Sequence, residues 1–218
     1  VAILIPEDFD GSDLPPSERG VLLLLRERLD DSWYLVPSVP VVVEGKDYEI
    51  DIVAGQTTGG VVLIEVKGGI LEVQQGVWFQ NGKRLTKSPG AQVMAAKHAL
   101  VRRAKKTRVD LTDLFMNHAV AFPDIGDVPT GGIGPELPRE TILTKTELVW
   151  PDAALSHLVK ETGPLPEDRI LHFIEFLRPD LILDAGPPAF DRIFRRRADA
   201  ATDSILSALE GLDVNQEV

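Results

Sequence analysis

The seven residues 61–67 constrain the fold of this chain more than any other segment. The run opens with Val61-Val62-Leu63-Ile64, which is apolar at every position instead of at alternate ones. An unbroken apolar run of this length, bounded by turn signals, predicts a strand that is buried on both faces of a sheet. Glu65 and Lys67 follow at its end, and both are costly to bury unless they are paired or bound to a metal.

The elements around this strand are predicted as a helix, a three-strand meander, a long helix and a further strand. Ser17 is predicted as the N-cap of the first helix, with Glu18 in its first turn, and Pro89 as the first residue of the long helix. The two prolines of the first strand predict an edge strand or a bulge. The predicted helices span 17–31 and 89–107, and the main predicted strands span 33–43, 48–54, 61–67, 118–122 and 141–143. Residues 70–73 and 77–80 are predicted to form a small hairpin, and Asn81-Gly82 indicates a further turn before residues 83–85. Further helices are predicted at 152–161, 166–177 and 190–212, the last with Arg195-Arg196-Arg197 inside it.

Composition excludes several classes of protein. The 218 residues contain no cysteine, which rules out a disulfide framework and a thiolate metal site and favours a reducing, cytoplasmic compartment. No apolar run approaches the roughly 18 residues of a membrane span, so no membrane partner is expected. The formal net charge of −11 means that nucleic acid must be held by a local basic patch or by a partner. Because the chain starts at Val1, we expect it to be an N-terminal piece of a larger protein.

Three carboxylates and one lysine fall at chemically suggestive places. Glu18 lies on the first helix, Asp51 on the second strand, and Glu65 and Lys67 share one face at the end of the third. Converging carboxylates suit a hard cation such as Mg²⁺, and a nearby lysine can hold or deprotonate a water. Structural salt bridges of Asp51 and Glu65 remain an alternative, as does a simple helix-dipole role for Glu18.

Several ordered motifs resemble the nuclease-related domain (NERD), a branch of the PD-(D/E)XK nuclease superfamily. The resemblance covers about residues 17–125, and the second half of the chain matches only loosely. The matching pieces are Glu18, the strand segments 48–53 and 62–68, Pro89-Gly90-Ala91-Gln92 at the start of the long helix, and Ala121-Phe122-Pro123-Asp124. One departure is that Glu49-Ile50, and not the superfamily's proline, precedes Asp51, which makes Glu49 an accessory candidate.

The resemblance implies an α/β, restriction-endonuclease-like core with a central mixed β-sheet flanked by helices, followed by a mostly helical C-terminal part. It implies that Asp51 and Glu65 bind Mg²⁺ or Mn²⁺, that Glu18 completes or supports this site, and that Lys67 positions or activates the attacking water. Gln92 would orient the site or the nucleic acid, unless it is an ordinary helix residue. The implied organisation is a lead-in (1–16), a NERD-like nuclease core (17–150) and a helical extension or linker toward a further domain (151–218).

The resemblance also implies a function. The expected activity is metal-dependent hydrolysis of DNA, in DNA processing or phage defence with a helicase domain or subunit, and with homo-oligomers left open. A basic stripe on the long helix is the candidate DNA contact, although such stripes are commonly solvated helix faces. Its residues are Lys97, Arg102, Arg103, Lys105 and Lys106. Two alternatives stay open: a non-catalytic nucleic-acid- or protein-binding module with a relic nuclease fold, and a hydrolase for another phosphate ester.

Overall fold

The computed structural model of the chain describes residues 1–57, 59–112, 114–159 and 167–179. The helix predicted at 190–212, with its three arginines, lies outside the described residues. Within the described part of the chain, no helix is long and apolar enough to cross a membrane.

Nine strands and five helices make up the described fold. The strands are β1 (Ile3–Leu4), β2 (Trp33–Val43), β3 (Lys46–Gln56), β4 (Gly60–Val66), β5 (Leu71–Gln74), β6 (Val77–Gln80), β7 (Lys83–Arg84), β8 (Met116–Phe122) and β9 (Ile142–Thr144). The helices are α1 (Pro16–Arg28), α2 (Pro89–Thr107), α3 (Lys145–Val149), α4 (Pro151–Ser156) and α5 (Glu167–Leu177).

Six of the strands form one mixed sheet in the order β1-β2-β3-β4-β8-β9. The middle of the sheet, β2-β3-β4, is an antiparallel meander. The other three pairs are parallel: β1 with β2, β4 with β8, and β8 with β9. Strands β5, β6 and β7 form a separate three-stranded antiparallel sheet. This confirms the predicted meander, followed by the long helix α2 and a further strand, which the structure shows to be a parallel neighbour of β4.

Helices cover both faces of the six-stranded sheet. Side chains of α1, α3 and α4 pack in one hydrophobic core, and side chains of α2, α5 and β6 pack in the other. All seven residues of β4 are buried, which confirms the strand that the apolar run predicted. The fold class is therefore α/β with a mixed sheet flanked by helices, and it is consistent with a restriction-endonuclease-like core.

Pro37 and Pro40 lie in the part of β2 that follows its pairing with β1. Strand β1 pairs with β2 only at Tyr34 and Leu35, and among the described residues no other strand pairs with the following part of β2 on the β1 side. Pro37 is buried and Pro40 is exposed. A residue without a backbone N–H is tolerated there because no ladder bond is needed.

The start of the first helix differs from the prediction. Ser17 is not its N-cap: α1 begins at Pro16, Pro15 occupies the cap position, and no side chain caps the helix. Proline suits the first helical position because its φ is already helical and it has no N–H to satisfy there. The Arg19 N–H instead bonds to the Pro15 carbonyl at 3.0 Å, which places Ser17 inside the first turn.

Candidate active site

The predicted acids Asp51 and Glu65 lie side by side on neighbouring strands. The β3–β4 pairing ends at Ile52 opposite Ile64, and Asp51 and Glu65 are the next residues of the two strands in the same register. Their residues are 9% and 5% exposed. The Val66 N–H donates to Asp51 Oδ2 at 2.7 Å, which ties this carboxylate directly to β4.

A local break in the β2–β3 ladder accompanies Asp51. Pro37 pairs with Ile52 and Val39 with Ile50, but Ser38, which would face Asp51, makes no such pair and has a φ of 44°. The alternation of side chains along β3 is interrupted at the same place. Ile50 and Val53 both face the α2 side of the sheet, whereas in a regular strand residues three apart face opposite sides. Asp51 therefore lies at a kink, where its carboxylate bonds to β4.

Lys67 completes this centre from the end of β4. Its Nζ lies 2.5 Å from Glu65 Oε1, and its backbone N–H donates to the Ala121 carbonyl of β8 at 2.9 Å. The lysine side chain is only 17% exposed, so its contact with Glu65 is shielded from solvent. The Lys67 ammonium and the Glu65 carboxylate thus meet where β4 ends, and the Asp51 carboxylate lies beside them on β3.

Glu18 approaches the same end of the sheet from α1. The contact is close because a Cβ added to Gly68 would lie 2.5 Å from the Ser17 Cβ. Burial, together with the negative charges of Asp51, Glu49 and Glu65, raises the pKa of Glu18 to about 7, although Lys67 lowers it. Glu18 is therefore electrostatically coupled to these carboxylates.

The two central carboxylates are also short of positive charge. Burial raises the pKa of Asp51 above its usual range, against the Val66 N–H and Lys67, which lower it. Burial and the neighbouring Asp51 likewise raise the pKa of Glu65. This donor set fits a hard divalent cation, which would supply the missing charge. Among the described residues, however, no three His, Cys, Asp or Glu side chains stand together as a preformed metal-binding group.

Gln92 lies in the first turn of α2, which packs against β4 and β8. Ser88 caps this helix by accepting the Ala91 N–H at 3.1 Å, and Pro89 occupies its first position, as the sequence predicted. The Gln92 side-chain oxygen is buried and has no hydrogen-bond partner among the described residues. An unpaired buried acceptor is unfavourable, so this oxygen is available to a bound donor.

Comparison with known families adds to this geometry. Residues 16–123 match the family model of the nuclease-related domain. This segment is a NERD domain. The match runs from α1 to the end of β8 and includes Glu18, Asp51, Glu65, Lys67 and Gln92. No curated protein and no solved structure matched the chain.

The predicted basic stripe lies along the α2 helix of the NERD domain, mostly far from Gln92. Arg102 and Lys106 follow Gln92 by ten and fourteen residues, or about 15 and 21 Å along the helix axis. Lys97 is partly buried, which lowers its pKa, and Lys106 lies 3.9 Å from Glu44 of the β2–β3 turn. Arg103 and Lys105 are exposed. Helix geometry thus places most of the stripe well away from Gln92.

Asp124, for which no role was predicted from the sequence, contacts the loop that follows Lys67. Its Oδ2 accepts the Gly69 N–H at 2.6 Å and so holds the loop that follows Lys67. Gln80 donates to the Gly68 carbonyl at 2.8 Å from the other side. The position of Asp124 in the sequence could have indicated this contact. Asp124 follows β8, and parallel neighbours such as β4 and β8 end at the same edge of the sheet.

Proposed function

We propose that this chain is a metal-dependent nuclease that hydrolyses DNA phosphodiester bonds at the Asp51–Glu65–Lys67 centre. The observation that most supports this function is the buried pair Asp51 and Glu65 inside a NERD domain, with Lys67 Nζ 2.5 Å from Glu65 Oε1. Such a cluster is costly to a fold, and an excess of buried negative charge is typical of sites that bind a cation.

The residues have separate roles in this proposal. Asp51 and Glu65 would hold Mg²⁺ or Mn²⁺, and Glu18 would complete or support the site. When bound, the metal would stabilise negative charge on the phosphate and its leaving oxygen. Lys67 would position the attacking water with its ammonium protons, and Gln92 would accept a hydrogen bond that orients this water or the nucleic acid. In the reaction the water oxygen bonds to phosphorus while one P–O ester bond breaks.

The net charge of the chain bears on how the proposed nuclease would hold its DNA substrate. A chain with a net charge of −11 holds DNA poorly alone, which supports action together with a helicase domain or subunit. We assign such an assembly to DNA processing or phage defence in the cytoplasm. The basic stripe on α2 would contact DNA beyond the cleavage site, and a homo-oligomer would place two sites on one duplex.

A cleavage assay with isosteric variants tests this function. Labelled linear, circular and single-stranded DNA, and RNA, are incubated with Mg²⁺ or Mn²⁺ and either the wild type, Glu65→Gln or Lys67→Met. We expect metal-dependent cutting by the wild type and at least a hundredfold loss in both variants, since each removes a group at the reacting phosphate. The matched controls, Glu27→Gln and Lys46→Met, change exposed residues and should cut at the wild-type rate.

Thermal unfolding separates metal binding from cutting. Mn²⁺ should raise the melting temperature of the wild type and of Glu27→Gln, and raise that of Glu65→Gln much less, because only the folded state binds the metal at this site. A folded wild type that neither cuts any substrate nor responds to metal would contradict the proposal. That result would favour the non-catalytic binding module.

A further inference from the structure

One face of the β5–β7 sheet packs against neither hydrophobic core of the described residues, and we call it the uncovered face. The inner face of the sheet carries Leu71 and Trp78, and Trp78 stacks on Phe122 with ring centroids 6.1 Å apart. Because side chains alternate along a strand, Val77 and Phe79 of β6 point the other way. Neither side chain packs against the two hydrophobic cores, and both remain partly exposed.

The uncovered face pairs an aromatic ring with a cation. Phe79 lies directly opposite Arg84 in the β6–β7 register, so the two side chains share this face. Lys87 follows β7, and both Arg84 and Lys87 are exposed with no ion-pair partner among the described residues. Lys83 lies opposite Gln80 and therefore points to the other face of the sheet. The one acid of the face, Glu72, lies on the other side of Phe79 and accepts a hydrogen bond from Gln74 at 3.3 Å.

Three hydrogen bonds fix this sheet to the loop that follows Lys67. Gln80 donates to the Gly68 carbonyl at 2.8 Å, the Ile70 N–H donates to Asn81 Oδ1 at 2.9 Å, and the Asn81 N–H donates to the Ile70 carbonyl at 2.8 Å. The β5–β7 sheet is therefore held against the loop that directly follows Lys67 of the carboxylate centre.

We propose that the outer face of the β5–β7 sheet binds a single strand of nucleic acid that leads to the candidate active site. Phe79 stacks on one unpaired base, and Arg84 and Lys87 contact the phosphates beside it. Aromatic rings within a positive surface are the usual platform for single strands, because every base has a face that can stack. An unpaired base is required since the bases of a duplex already stack on each other. This assignment rests on the proposed nuclease function and adds a contact surface to it.

The full chain and a fluorescein-labelled 20-nucleotide DNA, single-stranded or as a duplex, test the assignment by fluorescence anisotropy. EDTA is present, so that no cutting occurs. We expect Phe79→Ala to weaken single-strand binding about tenfold and duplex binding less than twofold, the size expected for one stacked base. Arg84→Glu should weaken single-strand binding by at least tenfold.

The β2–β3 hairpin offers matched controls. Val42 is 54% exposed and Lys46 is exposed beside the turn. This turn contacts the C-terminal end of α2 through Lys106, about 26 Å along the helix from Pro89, which begins the helix after β7. Val42→Ala and Lys46→Glu should therefore leave the affinity within twofold of the wild type. Circular dichroism of all four variants verifies that each is folded.

Two results would overturn the assignment. One is single-strand affinity of Phe79→Ala and Arg84→Glu equal to that of their controls, and the other is a wild type that binds no single strand. Cleavage in Mg²⁺ separates this inference from the proposed function. If the wild type cuts but the two variants keep the controls' KM and affinity, the inference fails and the nuclease stands. If the wild type binds through this face without cutting, the inference stands and the nuclease fails.

Discussion

At the scale of single residues, charge balance dominates the carboxylate site. Glu18, Asp51 and Glu65 face one lysine, and the pKa of each acid is raised, chiefly by burial. Glu18 is the most exposed of the three, yet its pKa still rises to about 7 because Asp51 and Glu49 add to the effect of burial. Without metal, the folded state therefore holds a proton here that the unfolded chain would release.

The pH dependence of stability follows from this difference. Since the folded pKa of Glu18 is about 7 and its ordinary value is 4.5, the folded state binds more protons than the unfolded state between these values. Stability in EDTA should thus fall as the pH rises from 5 to 7.5. Glu18→Gln removes this contribution, which we expect to be about 1 kcal/mol after solvent screening, or about 2–4 °C in melting temperature. Melting curves at several pH values measure it, with Glu27→Gln as control. An unchanged pH slope in Glu18→Gln would show that Glu18 is not coupled to the site.

At the scale of elements, one close contact sets the position of α1 against the end of β4. Gly68 leaves no room for a side chain, since an added Cβ would meet Ser17 Cβ at 2.5 Å and Asp124 Oδ2 at 3.1 Å. The neighbouring Gly69 has a φ of 82°, and Asp124 holds its N–H. The double glycine thus lets α1, β4 and β8 come together, and Glu18 reaches the carboxylates as a result.

Substitution of Gly68 should disturb the site more than the fold. We expect Gly68→Ala to push the start of α1 away from β4, which costs about 1–3 kcal/mol and lowers the cleavage rate at least tenfold. Gly20→Ala, four residues into α1, is the matched control because an added Cβ there meets nothing within 4 Å. That change should raise stability by about 0.5–1 kcal/mol and leave cleavage unchanged. Denaturant unfolding and cleavage rates measure both effects, and a fully active Gly68→Ala would refute the role of this contact.

At the scale of the whole molecule, α5 supports the site from a distance in sequence. Ile170, Phe173 and Ile174 are buried in the core on the α2 side of the sheet. Arg178 Nη2 donates to the Ser38 carbonyl at 2.8 Å and also to the Pro37 carbonyl, and so holds the kink of β2 that faces Asp51. The compact unit that contains both cores extends from Val1 to Pro179.

Truncation tests the predicted domain boundary at residue 150. A chain of residues 1–179 keeps every contact described above and should retain the cleavage activity of the full chain. A chain of residues 1–150 loses the buried side chains of α4 and α5 and the Arg178 contact. Loss of several large buried side chains exceeds the stability of most domains, so this chain should not fold cooperatively. Circular dichroism and thermal melts distinguish the two, and a cooperative melt of residues 1–150 would support the boundary as predicted.

The sequence alone determined the elements whose signals are local. The apolar run before Glu65 indicated a strand buried on both faces, and Ser88-Pro89 indicated the start of α2, because burial and capping depend on nearby residues. Residue spacing and motif order also predicted that Asp51, Glu65 and Lys67 lie close together. Only the tertiary structure decided the kink at Ser38, the Asp124 bond to Gly69, and the uncovered face of the β5–β7 sheet. Each of these features depends on groups that are far apart in the chain. A local sequence pattern does not specify which distant group a given carbonyl, amide or ring will contact.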